Sequence, residues 1–583
     1  MASEVLDIVI VGAGLSGISA ARFYLDVHPE SNVVVLEKDT SIGGPWGKSR
    51  MYPGFWSQSG IRMSGFSDVP FSVPKDAEVC NDIYEAKYVS DYLENYVDSH
   101  VYAEKPLRDR IRLDFAVGRI TKALDIWIVE GEQDGASRSF KTKRLIVATG
   151  ITSEPKMPIL AGSSTFGGQI LHQNDYGTFM TQPSSIAQKV AVIGAGKSAA
   201  DAVYGLVKAG HEVHWIIRKS GDGPGAFTNP ADNAKGPFLN DPELAATRMF
   251  ATMSPGCFTQ PNAWTRFLHG TSLGDKVLEG VFNGADEKCK KIGNFHGRPG
   301  ALDGFEDLES NVKLFWVTGQ FGLIQRPDFW DTVAPNVRVH SHDIARLENH
   351  KVVLKDGPSL PMDVIVCATG FRNDFSFFSA EQRIQLGLPH LRADDEAEAS
   401  WRTLEATADK EVLQKYPKLA TPPPVSLAPD SPSLNRITPN RLYNCILPIT
   451  DHSIAFHGNI YGPNGFRIAE VQAIWTTALF DGIVQLPGKQ AMQQDIAWVN
   501  AFNRRRYPTK GALGNFFHYD MMGYLDRLLG QVGLTSYRKG WWADLMYPLI
   551  ASDLQGTTGE YLRKYRAKME GERTDRALGV GGG

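Results

Sequence analysis

Two strand–turn–helix stretches constrain this chain more than anything else in it. Residues 7–25 read DIVIVGAGLSGISAARFYL, and residues 189–207 read KVAVIGAGKSAADAVYGLV. Each joins a short apolar run to a glycine turn and then to a helical pattern. In the first, Gly12, Gly14 and Gly17 form G-x-G-x-x-G, with Ala13 and Ser16 inside the turn. The first glycine permits the tight turn, the second lets a pyrophosphate approach the backbone, and the third lets helix and strand pack closely. The helix N-terminus adds free N–H groups and a positive dipole end. In the second, Gly194 and Gly196 hold the first two places and Ala199 the third, with Lys197 and Ser198 between them. Two such units in one chain predict two dinucleotide sites.

The ends of the following strands separate the sites. NVVVLEKD ends at Glu37 and Lys38. A carboxylate there accepts hydrogen bonds from ribose hydroxyls and repels a 2′-phosphate, which suits FAD or NAD and disfavours NADP. HEVHWIIRKS ends at Arg218 and Lys219. Cations there suit a 2′-phosphate, hence NADPH. The bland reading makes both pairs solvated strand ends.

At 583 residues, two or three domains are expected. The net charge of −4 is spread among residues of both signs, with no basic tail or stripe, which argues against nucleic acid as a partner. The five cysteines form no C-x-x-C and no metal spacing, so reduced thiols, no metal and a cytoplasmic location are expected. The first strand begins within a few residues of Met1, leaving no room for a signal peptide, and no run is long and apolar enough for a transmembrane segment.

Along the chain, Gly43, Gly44 and Trp46 in SIGGPWG suggest a loop close to a ligand, with the indole against a flat ring. Residues 55–71, FWSQSGIRMSGFSDVPF, lack a clear period and read as a cavity-lining loop, or else as aromatic core packing. Residues 84–97 have helical spacing; 111–120, 125–131 and 144–150 read as strands. Residues 221–236 read as loop, and 242–291 as a helical insertion whose aromatics either line a substrate pocket or build a local core. Residues 312–321 and 337–357 read as strands, and 362–371 as the return to the first unit. Residues 394–416 suggest a charged helix with a solvated face, and 420–440 a proline-rich surface segment. Trp541, Trp542, Met546 and Tyr547 are expected to pack against the main body, with a membrane patch or a lid as the alternatives; the terminal GVGGG reads as a flexible end.

These motifs together resemble the class B flavin monooxygenases: flavin-containing, N-hydroxylating and Baeyer–Villiger enzymes. Gly12/Gly14/Gly17 with Glu37 resemble the FAD fingerprint, and Gly43, Gly44 and Trp46 the GG-x-W loop. Phe166, Gly168, His172 and Tyr176 match F-x-G-x-x-x-H-x-x-x-[FY]. Gly194, Gly196, Ser198 and Ala199 with Arg218 resemble the NADP fingerprint; ATG at 148–150 and ATGF at 368–371 resemble the joining motifs. Glu470, Gln472 and Trp475 match E-x-Q-x-x-W on a helix starting near Gly465, whose positive end would face the flavin. Just before it, Asp451, His452 and His457 are read as structural residues rather than acid–base groups. The resemblance adds Met63, Val117, Thr149, Gly150, Thr369 and Gly370 to the cofactor contacts. It departs from the amine- and sulfur-oxidising branch where Gln58 replaces an asparagine beside the flavin, and from the Baeyer–Villiger branch at Tyr176 and Gly177.

The implied fold is α/β, with two Rossmann-like dinucleotide-binding domains, helical insertions and a mainly helical C-terminal extension. The expected division is 1–160 and 336–485 for FAD, the latter interrupted at about 375–440, 161–335 for NADPH, and 486–583 for the extension. The implied activity is an NADPH-dependent FAD monooxygenase. Reduced flavin takes up O2 as a C4a-hydroperoxide and passes one oxygen to a small organic substrate, with a bulky product of secondary metabolism suiting the aromatic insertions. Gln58 and Asp68 are the residues expected near the reaction. The alternatives are a Baeyer–Villiger enzyme acting on a polycyclic ketone, a hydroxylase or epoxidase, and a flavin oxidase. A disulfide reductase lacks its cysteine pair. A homo-oligomer is compatible with the chain.

Overall fold

The computed structural model describes residues 5–182, 186–230, 237–424 and 436–565. The first strand, Val5–Val11, lies between Val33–Leu36 and Ala136–Val147 and runs parallel to both, pairing Ile10 with Val35 and Ile146. Ile8, Val9 and Ile10 are fully buried. A central parallel strand is covered on both faces and therefore reads as an unbroken apolar run. The early part of Ala136–Val147 joins an antiparallel meander with Ile126–Gln133 and Phe115–Ala123, while its end pairs in parallel with Ile454–Phe456. The chain thus returns to its first sheet more than 300 positions later.

A second sheet has the order Gln169–His172, Val364–Cys367, Lys189–Ile193, Glu212–Ile217 and Val337–Ser341, all parallel. It therefore extends beyond the expected division at 335. Val337–Ser341 and Val364–Cys367 complete the second unit, and the chain returns to the first only after Cys367. Apolar runs alone do not say which of two similar sheets a strand will join.

One helix covers a face of the first sheet and carries a second on its back. Leu15–Val27 packs against Gly465–Phe480, and every residue of the latter after Gly465 is buried. The helix Glu396–Lys415 lies on Lys489–Arg506. Its expected solvated character holds for one side only: Glu398, Glu405, Ala408 and Val412 are buried. Glu398 is held by Arg392 and, at 2.6 Å, by Arg441.

Three further expectations are corrected. Residues 312–320 form turns and not a strand, because Val312 and residues 314–317 are buried in succession with no strand alongside; Leu314 instead donates its N–H to Asp286. Ala226–Thr228, expected as loop, is a buried strand paired with Phe321–Ile324. Trp541, Trp542 and Tyr547 do not pack inward; Trp541 is 78% exposed. The proline-rich stretch and the terminal glycines lie largely outside the described residues. No helix among those residues is long and apolar enough to cross a membrane.

Removing the Glu398 carboxylate would leave the Arg392 and Arg441 guanidinium groups without their shared partner. Glu398→Ala is expected to cost about 3 kcal/mol, read as a lower thermal midpoint. Glu411→Ala, on the exposed side of the same helix, should leave the midpoint unchanged.

Candidate cofactor and active site

The first glycine turn sits where the strand ends. Gly12 has φ +106° and donates to Leu36 O at 2.7 Å. A Cβ there would stand 2.5 Å from Ala148 O, and one on Gly17 would strike the Gly12 carbonyl. Helix Leu15–Val27 starts from Gly14 with no side-chain cap and no acidic residue in its first turn. Its orphan N–H groups are thus left for an anion.

That helix end opens into a cavity of about 430 Å³. Gly12, Gly14 and Ser16 line one part, and Glu37 and Lys38 another. Gly44, Trp46, Val117, Thr149 and Gly150 also face it. Glu37 accepts hydrogen bonds from Ala13 N at 2.7 Å and Asp39 N at 2.9 Å. Burial pushes its carboxyl up, and those two N–H groups pull it only part of the way back, leaving it raised. Ala13 therefore spends its N–H on Glu37. Lys38 bridges Ser153 O and, at 2.9 Å, Glu154, both in the cavity wall. Trp46 stacks on Phe55 at 5.5 Å, and Phe55 on Tyr52 at 4.7 Å.

Sequence reasoning missed several lining residues. Arg50 faces the cavity, anchored to Asp39 at 2.9 Å and Thr152 O at 2.9 Å. Asp374, Phe377, Gly458, Ile460 and Gly462 arrive from distant sequence. Gly465, the first residue of helix Gly465–Phe480, lines it too, with Asn464 capping that helix. The E-x-Q-x-x-W residues fasten this helix to its surroundings. Glu470 accepts from Ser67 N and Oγ at 2.7 Å, Gln472 from Gly458 N at 2.9 Å, and Trp475 donates to Gln531 at 2.8 Å. An uncapped helix end for a pyrophosphate, a carboxylate in the wall for hydroxyl groups and a cavity with largely apolar walls fit FAD.

The second turn repeats the geometry. Gly194 donates to Ile216 O at 3.1 Å, and helix Lys197–Lys208 begins at Gly196 with no side-chain cap. Ala199 is fully buried, while Arg218 and Lys219 stand exposed just beyond strand Glu212–Ile217. Lys197 is turned inward instead of toward a ligand: its ammonium reaches Asp201 at 2.6 Å, and Tyr52 OH donates to the same carboxylate at 2.9 Å. Burial pulls Lys197 down and pushes Asp201 up. Ser198 hydrogen-bonds Tyr52. This cluster joins the two units.

Neither residue expected near the reaction lines the cavity. Gln58 pairs with strand Phe321–Ile324: its Nε2 donates to Ile324 O at 3.0 Å and its Oε1 accepts from Ile324 N at 3.0 Å. Asp68 faces the other way, toward Arg22 at 2.9 Å, His100 at 2.9 Å and Tyr96. Burial pushes the Asp68 carboxyl up, but the His100 hydrogen bond and the Arg22 charge outweigh it and hold the group at about 2. Met63 is buried in the core, Thr369 Oγ1 donates to Lys156 O, and Gly370 O accepts from His172. Asp451 binds Lys122 at 2.6 Å, and His457, pushed down to about 3 by burial, contacts Thr476. Among the described residues no cluster of three or more metal-ligating side chains occurs.

Gly17→Val would drive a side chain into the Gly12 carbonyl. The purified variant should be colourless, with flavin absorbance lost. The Asp68–His100 pair predicts a pH window. Asp68 is depressed from 3.8, so its contribution is present above that value and lost as pH falls toward 2. His100 is lowered by burial but raised further by its bond to Asp68, ending above 6.5, so its contribution is present below 6.5 and lost as pH climbs past its folded value. The thermal midpoint should fall on both sides of this window, and Asp68→Asn should flatten the profile.

Residues 9–228 match the family described as pyridine nucleotide-disulphide oxidoreductase. Only Cys80 falls within that stretch, so the match carries the nucleotide fold without a cysteine pair. The chain is 30% identical to FAD-dependent monooxygenase rstn6 of Aspergillus nomiae, over 95% of this chain and 98% of that one. It is also 30% identical to FAD-dependent monooxygenase resA of Aspergillus sclerotiorum, over 96% and 99%. Among solved structures, cyclohexanone monooxygenase from Rhodococcus sp. Phi1 bound to NADP+ superposes with a TM-score of 0.59 at 18% identity, covering 91% of this chain and 98% of that one, which shows a shared fold. With a flavin-shaped cradle on the first turn and this identity over nearly the whole length, the chain belongs to the FAD-dependent monooxygenases, in the class B flavin monooxygenase group.

Proposed function

We propose that this enzyme oxidises NADPH and places one atom of O2 on a small, largely apolar organic substrate held between its two nucleotide cradles. The observation that carries the reading is the opposite charge at equivalent places: buried Glu37 in the wall of the first cradle, exposed Arg218 and Lys219 at the tip of the second. A carboxylate accepts from a ribose diol and repels a 2′-phosphate, whereas a guanidinium binds one. The binding of NADP+ by the Rhodococcus structure is consistent with that assignment. Bound FAD supplies electron transfer and activation of O2.

The remaining work falls to this chain's own groups. The uncapped end of Leu15–Val27 holds the pyrophosphate and Glu37 the hydroxyl groups. The end of Gly465–Phe480 lends its positive dipole to the far part of the cavity. The Tyr52–Asp201–Lys197 cluster and the Gln58–Ile324 pairing set the spacing of the two cradles. Water is kept out by the aromatic walls. The division into FAD- and NADPH-binding units follows the two sheets.

The test is steady-state turnover with each nicotinamide cofactor and 18O2. NADPH should be preferred over NADH, and the product should carry one 18O atom. Arg218→Ala should raise KM for NADPH about tenfold, the size of one charge-assisted hydrogen bond, with KM for NADH changed less than twofold. Equal use of both cofactors by the wild type would overturn the reading.

A further inference from the structure

The C-terminal part sends one extended segment back to the chain that forms one wall of the flavin cavity. Tyr461 lies between two cavity-lining residues, Ile460 and Gly462. It pairs with this segment: Tyr461 N donates to Asn515 O at 2.8 Å and Phe517 N to Tyr461 O at 2.6 Å. Extended backbone sends successive side chains to opposite sides. Phe517 accordingly enters the core and stacks on Tyr524. Phe516 and His518 share the other side, their rings 6.3 Å apart and nearly parallel, and Phe516 stacks on Tyr461 at 6.0 Å. Three rings, Tyr461, Phe516 and His518, thus stand in a row leading away from the flavin cavity.

The far end of the row meets the other cradle. His518 packs on Phe321 at 4.5 Å. The preceding residue, Gln320, comes within 3.7 Å of where a Cβ on Gly196 would stand, and Gly196 is the N-cap of the second nucleotide helix. His518 therefore lies between the wall of the first cradle and the turn of the second. Phe321, Tyr461, Phe516 and His518 are all half-buried, so each keeps part of its surface open. Among the described residues no hydrogen bond reaches either ring nitrogen of His518 or the hydroxyl of Tyr461. Burial, followed by the nearby Arg506 charge, holds the imidazole down at about 4, so the ring is neutral and offers one donor and one acceptor. Both polar groups thus keep open surface and, among the described residues, make no polar contact that would hold the fold.

We propose that His518, with Tyr461, is the substrate-recognising polar pair of this enzyme, and that the substrate is a planar, largely apolar molecule with a hydroxyl or carbonyl oxygen. The substrate lies against the Tyr461–Phe516–His518 row and Phe321, and its oxygen bonds the His518 ring. This rests on the monooxygenase reading, but its test needs no turnover, so the two fail separately.

The experiment uses the FAD-loaded full chain without NADPH. The probes are 2-naphthol and naphthalene, which differ by one hydroxyl group, and binding is followed by the flavin difference spectrum. Wild type should bind 2-naphthol more tightly. His518→Ala should weaken 2-naphthol about tenfold, the worth of one hydrogen bond, and naphthalene less than threefold. His518→Gln should recover part of the loss. Equal weakening of both probes, no change with either, or no binding of 2-naphthol by the wild type would overturn the proposal. Bound flavin reports folding: if only the alanine variant loses it, the glutamine variant carries the test, and if both lose it, His518 is structural and the proposal fails.

Discussion

Everything in this enzyme is arranged around two helix ends left without caps. Leu15–Val27 and Lys197–Lys208 each begin at a glycine whose side provides no hydrogen-bond acceptor for the free N–H groups. An isolated helix with such an end is poorer by a few tenths of a kcal/mol, on the order of 0.3, than one with a serine or aspartate cap. The parallel strands hold both ends in place regardless, so the deficit becomes affinity for an anionic ligand.

The two cradles are useful only at a fixed separation, and polar contacts set it. Tyr52 leaves the loop of the first cradle and binds Asp201 inside the helix of the second, with Lys197 balancing the charge. Gln58 grips the strand Phe321–Ile324, which carries Phe321 to the junction. On the remaining side, Glu470, Gln472 and Trp475 tie the buried helix to Ser67, Gly458 and Gln531. Charged groups that looked like chemistry in the one-dimensional chain mostly do this joining work.

What could be read from the sequence divides along a physical line. Gly12, Gly14 and Gly17 were legible because the stereochemistry of a tight turn is local, and so was Glu37, which a strand of fixed length places at its tip. Arg50, Asp374 and Gly458 were not, because only the closed fold brings them to the cavity. Asp68 was misread for a related reason: its loop does approach the first cradle, but one carboxylate among Arg22, His100 and Tyr96 turns away from it. Lys197 was expected among the cofactor contacts from its place in the turn, yet Asp201, one helical turn on, captured it. The aromatic pair Trp541 and Trp542 has the composition of a core and stands in solvent. His518 carried no signal at all, since a lone histidine in an aromatic run means nothing until its neighbours are known.

The grip of Gln58 on Ile324 is made entirely to main-chain atoms, one carbonyl and one amide. Main-chain atoms are the same whatever residue bears them. Leu323 and Ile324 are still fixed by burial, but Phe321, at the open end of the same strand, can change identity while the join stays intact, and a lineage can reshape the surface there for new chemistry without retuning the distance electrons must cross.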